Sequence, residues 1–132
     1  MSKLLVYATA VFFIGYGVGF IIWPMEIANW VTDGAPSVPS AKIDLRATYG
    51  GAQLAIGVIM LIIVQHKQDI DLALVMVGLC LLLMALGRLV GIMTDGQANA
   101  LMYVYLIAEL VFGFGAFFLR KRHSDTQITA SS

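Results

Sequence analysis

The sequence predicts an all-α fold: an antiparallel bundle of four transmembrane helices, with a short interfacial helix after the first span. Three observations carry that expectation. Hydrophobic residues make up 60% of the 132 and charged residues 12%, about half the ~25% charged share of an ordinary soluble domain. Four apolar runs of membrane-crossing length alternate with short polar segments. Basic residues collect at alternate connections, the pattern of a chain that crosses a bilayer repeatedly. A soluble chain this short could not hide so much apolar surface, because small domains bury only ~60–70% of what their unfolded chains expose. The solvent must be lipid.

Leu4–Trp23 is twenty residues without a charge, enough to cross ~30 Å of hydrocarbon as a helix. A signal peptide is the rival reading, with Lys3 as its basic flank. The run ends in Phe20-Ile-Ile-Trp-Pro24 rather than at a small-residue cleavage site, which favours a retained span. Pro24 stops that helix and suits the first position of another. Residues 24–33 therefore read as a short helix in the interface, flanked by Trp23 and Trp30. Gly34–Ser40, with two prolines and two serines, reads as loop.

The second span runs from about Asp44 to Val64. Arg46, Tyr49, Gly50, Gln53 and Gly57 share one helical face, pointing away from lipid. Residues 65–69 form a polar turn. The third span covers Ile70–Met93, with Arg88, Gly91 and Asp95 on one face. Residues 94–99 turn the chain into the fourth span, Ala98–Leu119, where Glu109 is the ionisable member of its face. One transmembrane domain thus fills residues 1–122, and 123–132 is a polar tail expected to be disordered. Lys3, Lys67 and Arg120–Arg122 fall on one side of a four-span chain, which puts both termini in the cytoplasm. Gly-x-x-x-Gly pairs at Gly15/Gly19 and Gly87/Gly91 permit close helix packing, within the chain or between copies in a homo-oligomer.

Zero formal net charge, from eight basic and eight acidic residues, points to neither nucleic acid nor an acidic substrate. Cys80 is the single cysteine, which excludes an intramolecular disulfide and a thiol redox pair; it reads as a small buried hydrophobe. His66 and His123 lack neighbours at metal-ligand spacing and are assigned to solvent, so no metal and no cofactor is expected.

The charges within the spans are the informative residues. An unpaired guanidinium in hydrocarbon costs about 2.5 kcal/mol or more, so Arg88 needs a partner. At ~1.5 Å per residue, Arg88 lies about 8 Å below the outer end of its span and Glu109 about 16 Å down the next. They sit on adjacent antiparallel helices, within reach of each other. The expected arrangement is an outward-opening pocket lined by Arg46, Tyr49, Gln53, Arg88, Asp95 and Glu109. Glu109 would be its floor, and Glu26, Asp44 and Asp95 would ring its mouth. Simpler roles exist for each: Arg46 and Asp95 can snorkel from span ends, Tyr49 can be an interface aromatic, and Gln53 can be a helix–helix hydrogen bond. Arg88 with Glu109 can be a structural ion pair.

Asp44-Leu-Arg-Ala-Thr-Tyr-Gly-Gly51, Gly87-Arg-Leu-Val-Gly-x-x-x-Asp-Gly96 and Glu109 together resemble an uncharacterised family of small four-helix bacterial membrane proteins. That family carries a domain-of-unknown-function label and is similar at a distance to the DoxX-like four-helix proteins. The resemblance runs from Leu4 to Leu119 and implies a fold and a bacterial inner-membrane address, without a reaction. Some DoxX-like proteins are associated with quinone-linked redox chemistry; a single cysteine speaks against any thiol-based version.

Three function classes follow. In the first, the pocket binds an amphipathic molecule (a lipid, isoprenoid or quinone) with Arg46 and Arg88 gripping an anionic or carbonyl group and apolar walls taking the tail. In the second, Glu109 is the proton donor or acceptor of an isomerase or epoxide-opening enzyme, helped by Arg88 or Tyr49. The third is proton or ion translocation through Glu109, Arg88 and Asp95. The inner halves of the four spans carry no ionisable relay, which ranks it last.

Overall fold

The computed structural model describes residues 1–95 and 98–131, and side chains for these except 124–131. Five helices build it: α1 (Ser2–Ile22), α2 (Pro24–Thr32), α3 (Pro39–Lys67), α4 (Ile70–Asp95) and α5 (Ala100–Ser131). All but α2 are long and apolar enough to cross a membrane, so the chain is a multi-pass membrane protein.

The breaks between helices follow local chemistry. Trp23 leaves the helical region at φ −123° and ψ 61°, and Pro24, which has no N–H to lose, opens α2 as its first residue. Asp33 closes α2 in the left-handed region at φ 57°, and Gln68 stands just past α3 at φ 52°. Gln68 and Asp69 are all that separate α3 from α4, because α3 keeps its helical form through Lys67, where a longer polar turn was expected. The Asp69 carboxylate then accepts the Leu72 N–H at 2.9 Å, a side-chain cap on α4.

Two helical hairpins lie side by side, α1 with α3 and α4 with α5, and α1 also touches α4. The α1–α3 seam is a close approach of backbones. A Cβ on Gly17 would stand 2.5 Å from the Leu54 nitrogen, and one on Gly57 would stand 2.7 Å from the Ala10 carbonyl oxygen. The expected Gly-x-x-x-Gly pairs do not make this seam: Gly15 and Gly87 face open space, and Gly19 meets only the Ile27 side chain. Sequence spacing shows that small residues can pack, not which of them faces a neighbour.

Apolar side chains close the end of the bundle that holds the N-terminus. Phe13 on α1, Met60 on α3, Leu74 and Val77 on α4 and Ala116 on α5 pack there with no exposed surface. Cys80, half-buried, packs against this cluster. Past the span, His123 Nδ1 lies 3.3 Å from Asp71 Oδ1, so this histidine is not left to solvent. The α5 backbone stays helical to Ser131, through most of the segment expected to be disordered. With neither glycine nor proline between Ala116 and Ser131, nothing in the chain interrupts the i→i−4 ladder. Of the expected 94–99 turn, residues 96 and 97 lie outside the described residues, as does Ser132 of the tail.

Candidate functional site: a polar-headed cavity beside Arg88 and Glu109

Arg88 on α4 and Glu109 on α5 meet side by side. Nε donates to Glu109 Oε2 at 3.1 Å, and Nη2 donates to Oε1 at 2.7 Å. This is the two-pronged geometry that makes arginine–carboxylate pairs strong. Nη1 donates to the Met102 sulfur at 3.0 Å, and the guanidinium carbon lies 5.2 Å from the centre of the Tyr105 ring. Glu109 is 6% exposed. Opposite charges on adjacent antiparallel helices, within reach of each other, predict this contact, and the structure makes it.

The pair forms part of the wall of a cavity of about 500 Å³ between the two hairpins, within the usual size range of small-molecule pockets. The ion pair, Gln53, Tyr16, Tyr49 and Tyr105 line it, and Thr9 on α1 and Thr32 on α2 add further hydroxyl side chains. Its remaining lining is largely apolar and extends beyond Glu109 to Phe112 on α5 and to Leu5 on α1. Glu109 therefore stands in the side wall, not at the floor. Ala8 and Phe12 of α1 and Val104 and Phe112 of α5 line the cavity and are also exposed. The rim thus includes α1 and α5, along the surface that lipid would cover, and Thr32 of α2 and Tyr49 of α3, which line the cavity and are exposed as well. Val31 and Thr32 of α2 contribute to the lining at the far end from the N-terminus.

Four of the six expected lining residues are there: Tyr49, Gln53, Arg88 and Glu109. Arg46 and Asp95 are not. Between Arg46 and Gly51 the helix widens to i→i+5 bonding, and the Ala52 N–H reaches back to the Ala47 carbonyl. A widened turn takes in an extra residue, so Arg46 leaves the face that carries Tyr49 and Gln53. Its guanidinium donates instead to the carbonyl of Ile21, in the last turn of α1, where unsatisfied carbonyls attract a cation. Asp95 ends α4, exposed, and Glu26 and Asp44 are exposed as well. None of these three acids lines the cavity.

Two contributions escaped the sequence reading. Phe12, Tyr16 and Phe20 recur at every fourth position of α1 and run into Tyr49 of α3, with successive ring centres 5.6, 5.0 and 5.4 Å apart. Those positions share a helix face, a spacing that is visible in the sequence once aromatic residues are separated from aliphatic ones. Asn99 is the second. Its amide donates to the Val31 carbonyl at 2.9 Å and to Asp33 Oδ2 at 2.8 Å, while its side-chain oxygen accepts the Met102 N–H at 3.1 Å. It caps α5 and pins α2 over the bundle.

No curated protein and no solved structure matches the chain. A family of known sequence pattern does, over residues 1–120, a stretch that takes in every residue of the cavity wall. The chain belongs to that family, the domain of unknown function DUF4345.

Proposed function

We propose that this protein holds an amphipathic small molecule, a lipid or isoprenoid with a compact polar head, in the cavity beside Arg88 and Glu109. The observation that carries the reading is the make-up of the cavity: an ion pair, Gln53 and three tyrosines in a lining that is otherwise largely apolar, with exposed lining residues on α1 and α5 facing where lipid would lie. A molecule dissolved in the bilayer would slide in sideways, tail against Leu5, Phe12 and Phe112, head against the tyrosines and the ion pair. The membrane would be a bacterial inner membrane, with Lys3, Lys67 and the Arg120–Arg122 cluster on the cytoplasmic side together with both termini.

An acid–base enzyme asks more of Glu109. A general base must present a free carboxylate oxygen to the proton it takes, and Arg88 engages both oxygens of Glu109. A relay for protons asks for ionisable groups leading onward, and the apolar cluster around Phe13 and Leu74 fills the bundle on that path. The binding role needs neither.

The test is purification in a mild detergent followed by mass spectrometry of co-purifying small molecules, alongside Ala108→Phe, which fills the cavity from its α5 wall. A near-stoichiometric compound that is lost in the variant supports the reading. Absence of any specific compound from the wild-type protein, or its full retention in Ala108→Phe, overturns it.

A further inference from the structure

The hydrogen-bonding state of the cavity restricts which head it can take; this inference rests on the amphiphile-binding reading above. Arg88 and Glu109 are the charged residues in the lining, and they neutralise one another at 2.7 Å and 3.1 Å. Arg46, which the sequence placed in the pocket as a second cation, bonds the Ile21 carbonyl elsewhere. The wall is therefore net neutral. What it has left is hydrogen-bonding capacity. A guanidinium carries five N–H groups, of which Arg88 uses three on Glu109 and Met102. Among the described residues, the Tyr16, Tyr49 and Tyr105 hydroxyls and the Gln53 amide have no hydrogen-bond partner in the protein.

We propose that the cavity selects an uncharged amphiphile whose head carries one or two hydrogen-bonding oxygens, hydroxyl or carbonyl, and rejects lipids with anionic or cationic heads. An ion in a low-dielectric site is tolerated when a counter-charge meets it. Here an anionic head would approach a guanidinium already held by a carboxylate, and a cationic head would approach a carboxylate already held by a guanidinium. Either one adds a charge with no partner. A neutral oxygen instead meets the spare N–H groups of Arg88 and the phenol hydroxyls, and leaves the ion pair intact. The ring series Phe12, Tyr16, Phe20 and Tyr49 lies along α1 and α3 beside those groups, offering a flat head or an unsaturated chain a face to lie on.

The full chain in phosphatidylcholine vesicles is photolabelled with three probes of one chain length, each with a diazirine in the chain. The heads are a free alcohol, its sulfate ester and a trimethylammonium. Labelling is read by peptide mass spectrometry at Phe12–Tyr16 and Val104–Phe112, against Phe114 and Phe118, which are exposed. The alcohol is expected to label the cavity peptides about tenfold more than either ion, the ratio that ~1.4 kcal/mol of discrimination gives. Gln53→Lys, which adds a cation without touching the ion pair, and Glu109→Gln, which frees Arg88, should each narrow the alcohol-to-sulfate ratio severalfold. Gln53→Lys keeps the test decisive if the Glu109 variant unfolds. Equal labelling by alcohol and an ion in the wild type, or a ratio unmoved by Gln53→Lys, overturns the head-group inference alone. Labelling of the cavity peptides no higher than of Phe114 and Phe118 by every probe overturns the amphiphile reading itself.

Discussion

Glu109 receives Arg88 through both of its carboxylate oxygens, and this one contact joins the C-terminal part of α4 to the N-terminal part of α5. Burying two charges is costly, and their attraction in a low-dielectric interior offsets the cost only when both are present. Arg88→Met or Glu109→Leu alone should each destabilise the protein by about 3–5 kcal/mol by stranding the other charge. The double variant should recover most of that loss. Reversible unfolding in mixed micelles would measure it. Additive single losses would mean that the pair is not coupled in the membrane protein.

The α1–α3 seam predicts a contrast among glycines. Gly17→Val and Gly57→Val put a Cβ 2.5 Å from the Leu54 nitrogen and 2.7 Å from the Ala10 oxygen, and backbone cannot move aside as a side-chain tip can. Overpacking of this kind costs about 1–3 kcal/mol or more. Gly15→Val and Gly87→Val meet nothing within 4 Å and should leave the thermal midpoint close to wild type. A loss of stability at Gly15 or Gly87 equal to that at Gly17 would place those glycines against a second copy of the chain.

How much of this was legible depended on what each residue's surroundings could be inferred from. The spans were readable because lipid demands long apolar runs, and Arg88–Glu109 because two opposite charges deep in neighbouring spans have few alternatives. Tyr49 and Gln53 followed from helical spacing. Arg46 did not, because the widened turn between Arg46 and Gly51 breaks the period on which that spacing relied. Tyr16 was hidden by its first span, whose length of apolar residues made it look like lipid-facing filler. The glycine seam was half legible: Gly50 and Gly57 fall on the face of the second span that points away from lipid, but Gly17 does not stand out, since a spacing of four occurs at Gly15/Gly19 and Gly87/Gly91 without either pair forming the interface.

Asn99 makes three hydrogen bonds with one side chain, to α2, to Asp33 and to its own helix. Asn99→Ala removes the cap on α5, worth about 0.5–2 kcal/mol, and cuts α2 loose from α5. Amide hydrogen exchange should rise across Pro24–Thr32 and the first turn of α5 while α1 and α3 stay protected. Uniformly faster exchange in every helix would show that Asn99 supports the whole bundle rather than the placement of α2.

Four spans put Ser2 and His66 on one side of the membrane and Ser37, in the segment between α2 and α3, on the other. The basic residues Lys3, Lys67 and Arg120–Arg122 all fall on the Ser2 side, and translocation disfavours positive charge close to a span. Replacing Cys80 with alanine leaves a background without thiols, since it is the single cysteine, and single cysteines can then be placed at each of the three positions. In intact cells a membrane-impermeant maleimide should reach a cysteine at Ser37 and spare those at Ser2 and His66 until the membrane is permeabilised. The opposite pattern would invert the protein and turn the wide connection toward the cytoplasm. Labelling of Ser2 and His66 from different sides would break the four-span count itself, because α1 and α3 could not then both cross.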